Sequence, residues 1–104
     1  MKRFLSNYIY CDGKLWRNHI ATIDDSDLLV SIEPIENEPA NTYYAANPLC
    51  IINCRDVKPL LDTFRTAPDR NAFQSKWQAP RLSANEKVAV YELNFKEKFT
   101  KKLS

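Results

Sequence analysis

Apolar and polar positions follow a period of two at both ends of the chain and a helical spacing between them. Near the start, three strands are predicted over Phe4 to Cys11, Leu15 to Asp24 and Leu28 to Ile35, separated by short turn-forming gaps. Asp12-Gly13 is a hairpin signal, because glycine takes a positive φ without a Cβ clash. Asp24-Asp25-Ser26-Asp27 supplies side chains that bond their own backbone in a turn. Leu28, Val30 and Ile32 alternate with Leu29, Ser31 and Glu33. Near the end, Ala89, Tyr91, Leu93 and Phe95 alternate with Val90, Glu92 and Asn94 within a strand over Val88 to Phe95. These two stripes are expected to line one face of a common antiparallel sheet, with helices covering that face.

The middle of the chain changes period. Glu36 to Asn47 is polar, carries proline and reads as a loop. Leu49 to Asn53 is a short strand whose unbroken apolar run implies cover on both faces. Val57, Leu60, Leu61 and Phe64 then repeat at helical spacing, with Asp56 as the expected cap, Pro59 in the first turn and Pro68 as the stop. A second short helix starts at Asp69 and aligns Ala72, Phe73, Lys76 and Trp77, with Trp77 as anchor and Pro80 ending it. The predicted fold class is α+β: an antiparallel β-meander sheet, sandwich-like, with one or two short helices on one face.

Length adds that the 104 residues form one domain with one core, burying roughly 60–70% of the surface the unfolded chain exposes. The formal net charge of +2 hides an asymmetry. Residues 1–54 carry net −3 and residues 55–104 net +5, with Lys96, Lys98, Lys101 and Lys102 concentrated at the end. Residues 96–104 are therefore expected to be a basic, mobile tail.

The candidate chemistry is sparse. Gly13 is the single glycine, so neither a dinucleotide fingerprint nor a P-loop can be written. His19 is the single histidine and lies mid-strand, where it reads as structural. Cys11, Cys50 and Cys54 make an odd count with no leader segment before them, which is read as reduced thiols in a cytoplasmic protein. The longest purely apolar run, Leu49 to Ile52, is far short of the about 20 residues a membrane helix needs. Within an extended strand Cys50 and Cys54 stand about 13 Å apart, too far to share a metal or a disulfide. Asp24, Asp25 and Asp27 lack the glycine and distal glutamate of a calcium loop. The sequence thus assigns no catalytic, cofactor-binding or metal-ligating residue.

Aromatic residues are frequent, and Tyr8, Tyr10, Trp16, Tyr43, Tyr44 and Tyr91 invite comparison with a stacking platform for bases or sugars. No run of interleaved basic and aromatic residues of the RNA-binding kind accompanies them, so core packing is the simpler account. The resulting reading is a non-catalytic binding or assembly domain whose partner is an unidentified protein or small molecule. The alternatives are nucleic-acid binding through the basic C-terminal half and an enzyme that uses Cys11 or His19. A homodimer is expected, because a short open sheet leaves edges to cover and Phe4 to Cys11 contains neither proline nor lysine to discourage pairing.

The meander, Asp12-Gly13, the second strand ending Ile23-Asp24-Asp25 and the third strand Leu28-Leu29-Val30-Ser31-Ile32 resemble the opening of amidohydrolase-superfamily enzymes. Asn41-Thr42-Tyr43-Tyr44 to Pro48-Leu49-Cys50-Ile51-Ile52-Asn53 is similar to the segment that leads into their barrel. The resemblance, over residues 4–53, implies the small β-sandwich domain of that family. It implies no metal site, because Pro48 is followed by Leu49 and by Cys54-Arg55-Asp56 where the family has Pro-Gly and His-x-His. A barrel of about 250 residues does not fit in the rest of the chain.

Overall fold

Asp12 and Gly13 both adopt positive φ, 49° and 85°, as a two-residue hairpin of this twist requires. They join β1 (Lys2–Cys11) to β2 (Lys14–Ile23), and β2 continues into β3 (Leu29–Pro34), so the predicted meander is present. The structure is a computed structural model that describes residues 1–36 and 41–104. Its further elements are β4 (Thr42–Tyr44), β5 (Leu49–Asn53), a 3-10 turn (Cys54–Asp56), α1 (Val57–Thr66), α2 (Arg70–Lys76), β6 (Val88–Asn94) and β7 (Phe99–Lys102). The fold class is α+β, a mostly antiparallel sheet of seven strands with two short helices.

The sheet runs in the order β3-β2-β1-β5-β6-β7. β4 and β5 lie one after the other along the same side of β1 and parallel to it, at Arg3 to Leu5 and at Ile9 to Cys11. The long β1–β2 hairpin changes face midway. Ile9, Cys11 and Trp16 share one apolar layer with Phe4 and Ala21, whose positions have the opposite parity. The alternation therefore slips by one at Asn7 and Asn18, the pair missing from an otherwise regular ladder, where Asn18 has φ 56°. Asparagine tolerates that left-handed conformation better than most residues. Beyond the slip the sheet wraps over its own inner face. The Val88 N–H donates to Asp27 O at 2.8 Å and ties the start of β6 to the turn before β3.

Two apolar layers result. The inner one holds Phe4, Ile9, Ile23, Leu49, Ile51 and Val90. The other lies under the helices and holds Tyr10, Ile52, Leu60, Phe64, Phe73 and Leu93. β5 contributes to both and is buried at every residue, as its unbroken apolar run predicted.

Several expectations are corrected. Leu28, Val30 and Ile32 do not share the helix-covered face with Tyr91 and Leu93: Ile32 packs on the inner layer and Val30 is 51% exposed. A one-residue slip sends a whole strand to the opposite face, and the slip in β2 together with the irregularity at Thr22/Ile23 does so here. β1 is central rather than an edge, so the edge argument for a dimer moves to other strands. The expected loop over Glu36 to Asn47 contains β4, too short for alternation to reveal; residues 37–40 of it lie outside the described residues. Residues 96–104, expected as a tail, hold the turn and the strand that place β7 against β6, with the Leu103 N–H donating to Val90 O at 2.7 Å. The Asp56 side chain makes no cap bond, because the 3-10 turn already leads the backbone into α1. Asp69 does cap α2, accepting from the Ala72 N–H at 2.8 Å.

Candidate functional site

The residues singled out by chemistry are dispersed. Cys11 is buried in the inner layer, Cys50 is buried in the layer beneath the helices, and Cys54 is exposed in the 3-10 turn; all three are free thiols. Burial pushes the Cys11 thiol up to about 12, with Asp12 adding to the effect, and burial raises Cys50 as well. Thiols held neutral in this way are poor nucleophiles. His19 sits beyond the slip in β2, with its ring against Trp16 at 5.3 Å and Nδ1 at 2.6 Å from Arg17 O. Asp24 Oδ1 accepts from the Ser26 and Leu28 N–H groups, which makes it a turn device. Among the described residues, no group of three His, Cys, Asp or Glu stands close enough to hold a metal ion.

The aromatics do not form one platform. Tyr10 is buried beneath α2 against Phe73, Tyr91 packs at the helix layer, Trp16 borders the inner layer, and Tyr43 and Tyr44 are exposed on β4. Tyr8 is half-buried, with the Arg70 guanidinium 4.2 Å and that of Arg17 5.4 Å from its ring centroid. A cleft of about 420 Å3 opens between the β1–β2 hairpin and α2, bordered by Tyr10, Lys14, Gln74, Lys76 and Trp77. Tyr10 Oη donates to Gln74 Oε1 at 3.4 Å, and Arg70 Nη1 donates to the same oxygen at 2.8 Å. Burial raises the Tyr10 phenol above its ordinary value, while Arg70 pulls the other way. Ser75, the hydroxyl of this cleft, donates to Asn71 O. The arrangement offers hydrogen bonds and positive charge, without a nucleophile and base in contact.

More is exposed at the two ends of the sheet. β3 pairs with β2 on one side and with no other strand among the described residues. The Ile35 N–H donates inward to Asn18 O, so by alternation Ser31 and Glu33 also point their N–H groups toward β2. Val30, Ile32 and Pro34 then occupy the outward positions, and Pro34 has no N–H to offer. Val30 and Ile35 are 51% and 36% exposed.

At the other end, the Leu103 N–H donates inward to Val90 O, so Thr100 and Lys102 take the outward positions of β7. Beside β7 lies a groove of about 290 Å3 against α1, lined by Leu61, Phe64, Arg65, Lys98, Phe99 and Thr100. Lys98, with φ 58° in the β6–β7 turn, reaches over the Phe64 ring at 4.3 Å. Its ammonium donates to Phe64 O at 2.9 Å and to Ala67 O. These carbonyls lie at the C-terminal end of α1, where Phe64 O also accepts from the Ala67 N–H at 3.3 Å, so one cation caps the helix and pins the turn to it.

Compared with models of protein families, with curated proteins and with solved structures, the chain matches none. Sequence reasoning missed the groove because it treated the four lysines as a solvated terminus. Phe99 and Leu103 fall on one side of a strand, but Lys101 between them breaks the stripe, so the alternation is too weak to mark β7.

Proposed function

We propose that this chain is a non-catalytic binding or assembly domain that acts as a homodimer joined at β3. The observation that carries the reading is the outer edge of β3, unpaired among the described residues, with Val30 half exposed and no lysine along the strand. Two copies related by a two-fold axis at Ser31 would set Val30 of each strand opposite Ile32 of the other, so that both outward N–H groups of each copy meet carbonyls. Pro34 would then stop the ladder from extending. In this register Ser31 faces its own counterpart in a non-hydrogen-bonded pair, with Cα atoms about 4.5 Å apart.

That separation lies within the range of about 4.4–6.8 Å that a disulfide spans. In a Cys54→Ser background, Ser31→Cys should therefore cross-link to a covalent dimer under mild oxidation. Light scattering that returns the 12.1 kDa of one chain at all concentrations would refute the dimer. A dimer in which Ser31→Cys stays uncoupled would keep the dimer and move the interface away from β3.

The connectivity also supports reading the chain as a relative of the amidohydrolase sheet domain: a β1–β2–β3 meander, β5 entering parallel to β1, and β6 returning antiparallel to β5.

A further inference from the structure

We infer that the groove between β7 and α1 takes an extended, acidic peptide segment, which adds to β7 as an outer strand and sets apolar side chains into the groove. The inference is independent of the dimer, which uses the opposite end of the sheet. Three observations converge on it.

The first is backbone. Among the described residues β7 has no neighbour beyond β6, and Thr100 and Lys102 present their N–H and C=O groups outward. An extended chain is the shape that satisfies a row of such groups, because main-chain bonds recur every second residue.

The second is apolar surface next to that row. Leu61 is half-buried and Phe99 is 51% exposed, and both line the groove with Phe64 at one wall. The aromatic floor is held in place, since Phe64 packs on Phe95 at 5.0 Å and Lys98 clamps the β6–β7 turn onto the last turn of α1. A groove between a strand edge and a helix, rigid before binding, spares a ligand the cost of ordering the site.

The third is charge. Arg65 at the groove and Lys101 and Lys102 on the strand are exposed. Of the acids nearby, Asp62 is already paired with Lys58 at 3.3 Å and with Arg65 at 3.7 Å, and Glu92 accepts from Tyr43 and Asn47. Glu97 is the remaining one. A basic peptide would meet like charges here, among them Lys101 and Lys102 on the strand, whereas an acidic one is drawn in and held in register. Lysines on an edge strand also discourage a second copy of β7 from pairing, so the partner is a different, acidic strand.

The test is fluorescence anisotropy of a labelled peptide of sequence Glu-Val-Glu-Phe-Glu-Val-Glu against the whole chain, with Lys-Val-Lys-Phe-Lys-Val-Lys as control. Saturable binding of the acidic peptide is expected, and none of the basic one. The double variant Lys101→Glu/Lys102→Glu, changed only at exposed positions, should weaken binding by at least about tenfold. Thr100→Pro deletes an outward N–H while leaving the bonds to β6, and should weaken binding comparably. In amide NMR the wild-type changes should centre on Leu61, Phe99, Thr100 and Lys102. Equal affinity for both peptides would overturn the charge argument. Unchanged affinity for Thr100→Pro would overturn strand addition. Absence of saturable binding at about 1 mM peptide would overturn the site.

Discussion

The two ends of the sheet are both unpaired edges among the described residues, yet they are built for different neighbours. β3 is apolar and acidic, with Val30 and Ile35 exposed, Glu33 and Glu36 at one end and Pro34 closing its ladder. It offers little besides its own backbone, and in the proposed dimer its outward donors would be answered by a second β3. β7 is basic and has a groove beside it, walled by α1 and fixed by Lys98. An edge alone leads to self-association, whereas an edge beside a preformed groove leads to recognition of side chains. The difference comes from what lies next to each strand rather than from the strands themselves: two of the four residues of β7 are lysine, and without α1 it would be only a guarded edge.

The largest effect on this contrast should come from Phe64, which lies on the buried face of α1 and forms a wall of the groove. Truncation to alanine should cost about 3–5 kcal/mol in denaturant unfolding. It should also loosen the β7 site while leaving the mass of the folded protein unchanged. A cost below about 1 kcal/mol would mean that α1 is not what holds the groove.

Val30→Lys sharpens the comparison from the other side. A lysine at an outward position of β3 places like charges across the proposed two-fold, and dimer affinity should fall by at least about tenfold, about 1.4 kcal/mol, in sedimentation or light scattering. Peptide affinity at β7 should be unaffected. Loss of both together would show that the two edges are coupled.

Salt separates the edges with a smaller effect. Raising ionic strength screens the exposed lysines, so acidic-peptide affinity at β7 should weaken steadily, while a β3 dimer held by backbone bonds should change little. Salt-insensitive peptide binding would place the recognition in the apolar groove alone.

The smallest change concerns the two layers beneath these edges. The folded state holds the Cys11 thiol neutral up to about 12, above its ordinary value of 9.0, and Cys50 is raised in the same direction. A raised folded pKa contributes stability that is complete below the unfolded value and is lost as pH climbs toward the folded one. Stability should therefore decline between about pH 9 and 12, over and above any loss seen when Cys11 and Cys50 are replaced by alanine. At pH 8 a thiol reagent should label Cys54 alone in the folded chain; rapid labelling of all three would place Cys11 or Cys50 at the surface.

Much of the fold was legible in local chemistry. Asp24 and Asp69 act through bonds within a few residues of themselves and Asp12-Gly13 through its positive φ angles, and each does in the structure what local chemistry predicts. The helical spacing of Leu60 and Phe64, and the unbroken run of β5, marked buried surfaces for the same reason: periodicity records which side of an element meets apolar neighbours.

What the sequence could not determine was which element each surface would meet. The slip at Asn7 and Asn18, together with the irregularity at Thr22/Ile23, reversed the facing of β3 and sent Ile32 to the inner layer, because a period of two converts a one-residue slip into a change of face. β4 and β7 are too short to declare themselves and form because longer strands offer them an edge at the right height. The candidate site belongs to this second kind. Local composition determined that Lys98 is charged and Phe99 apolar, but only tertiary structure brought them against the end of α1, where a lysine becomes a cap and a phenylalanine the rim of a groove.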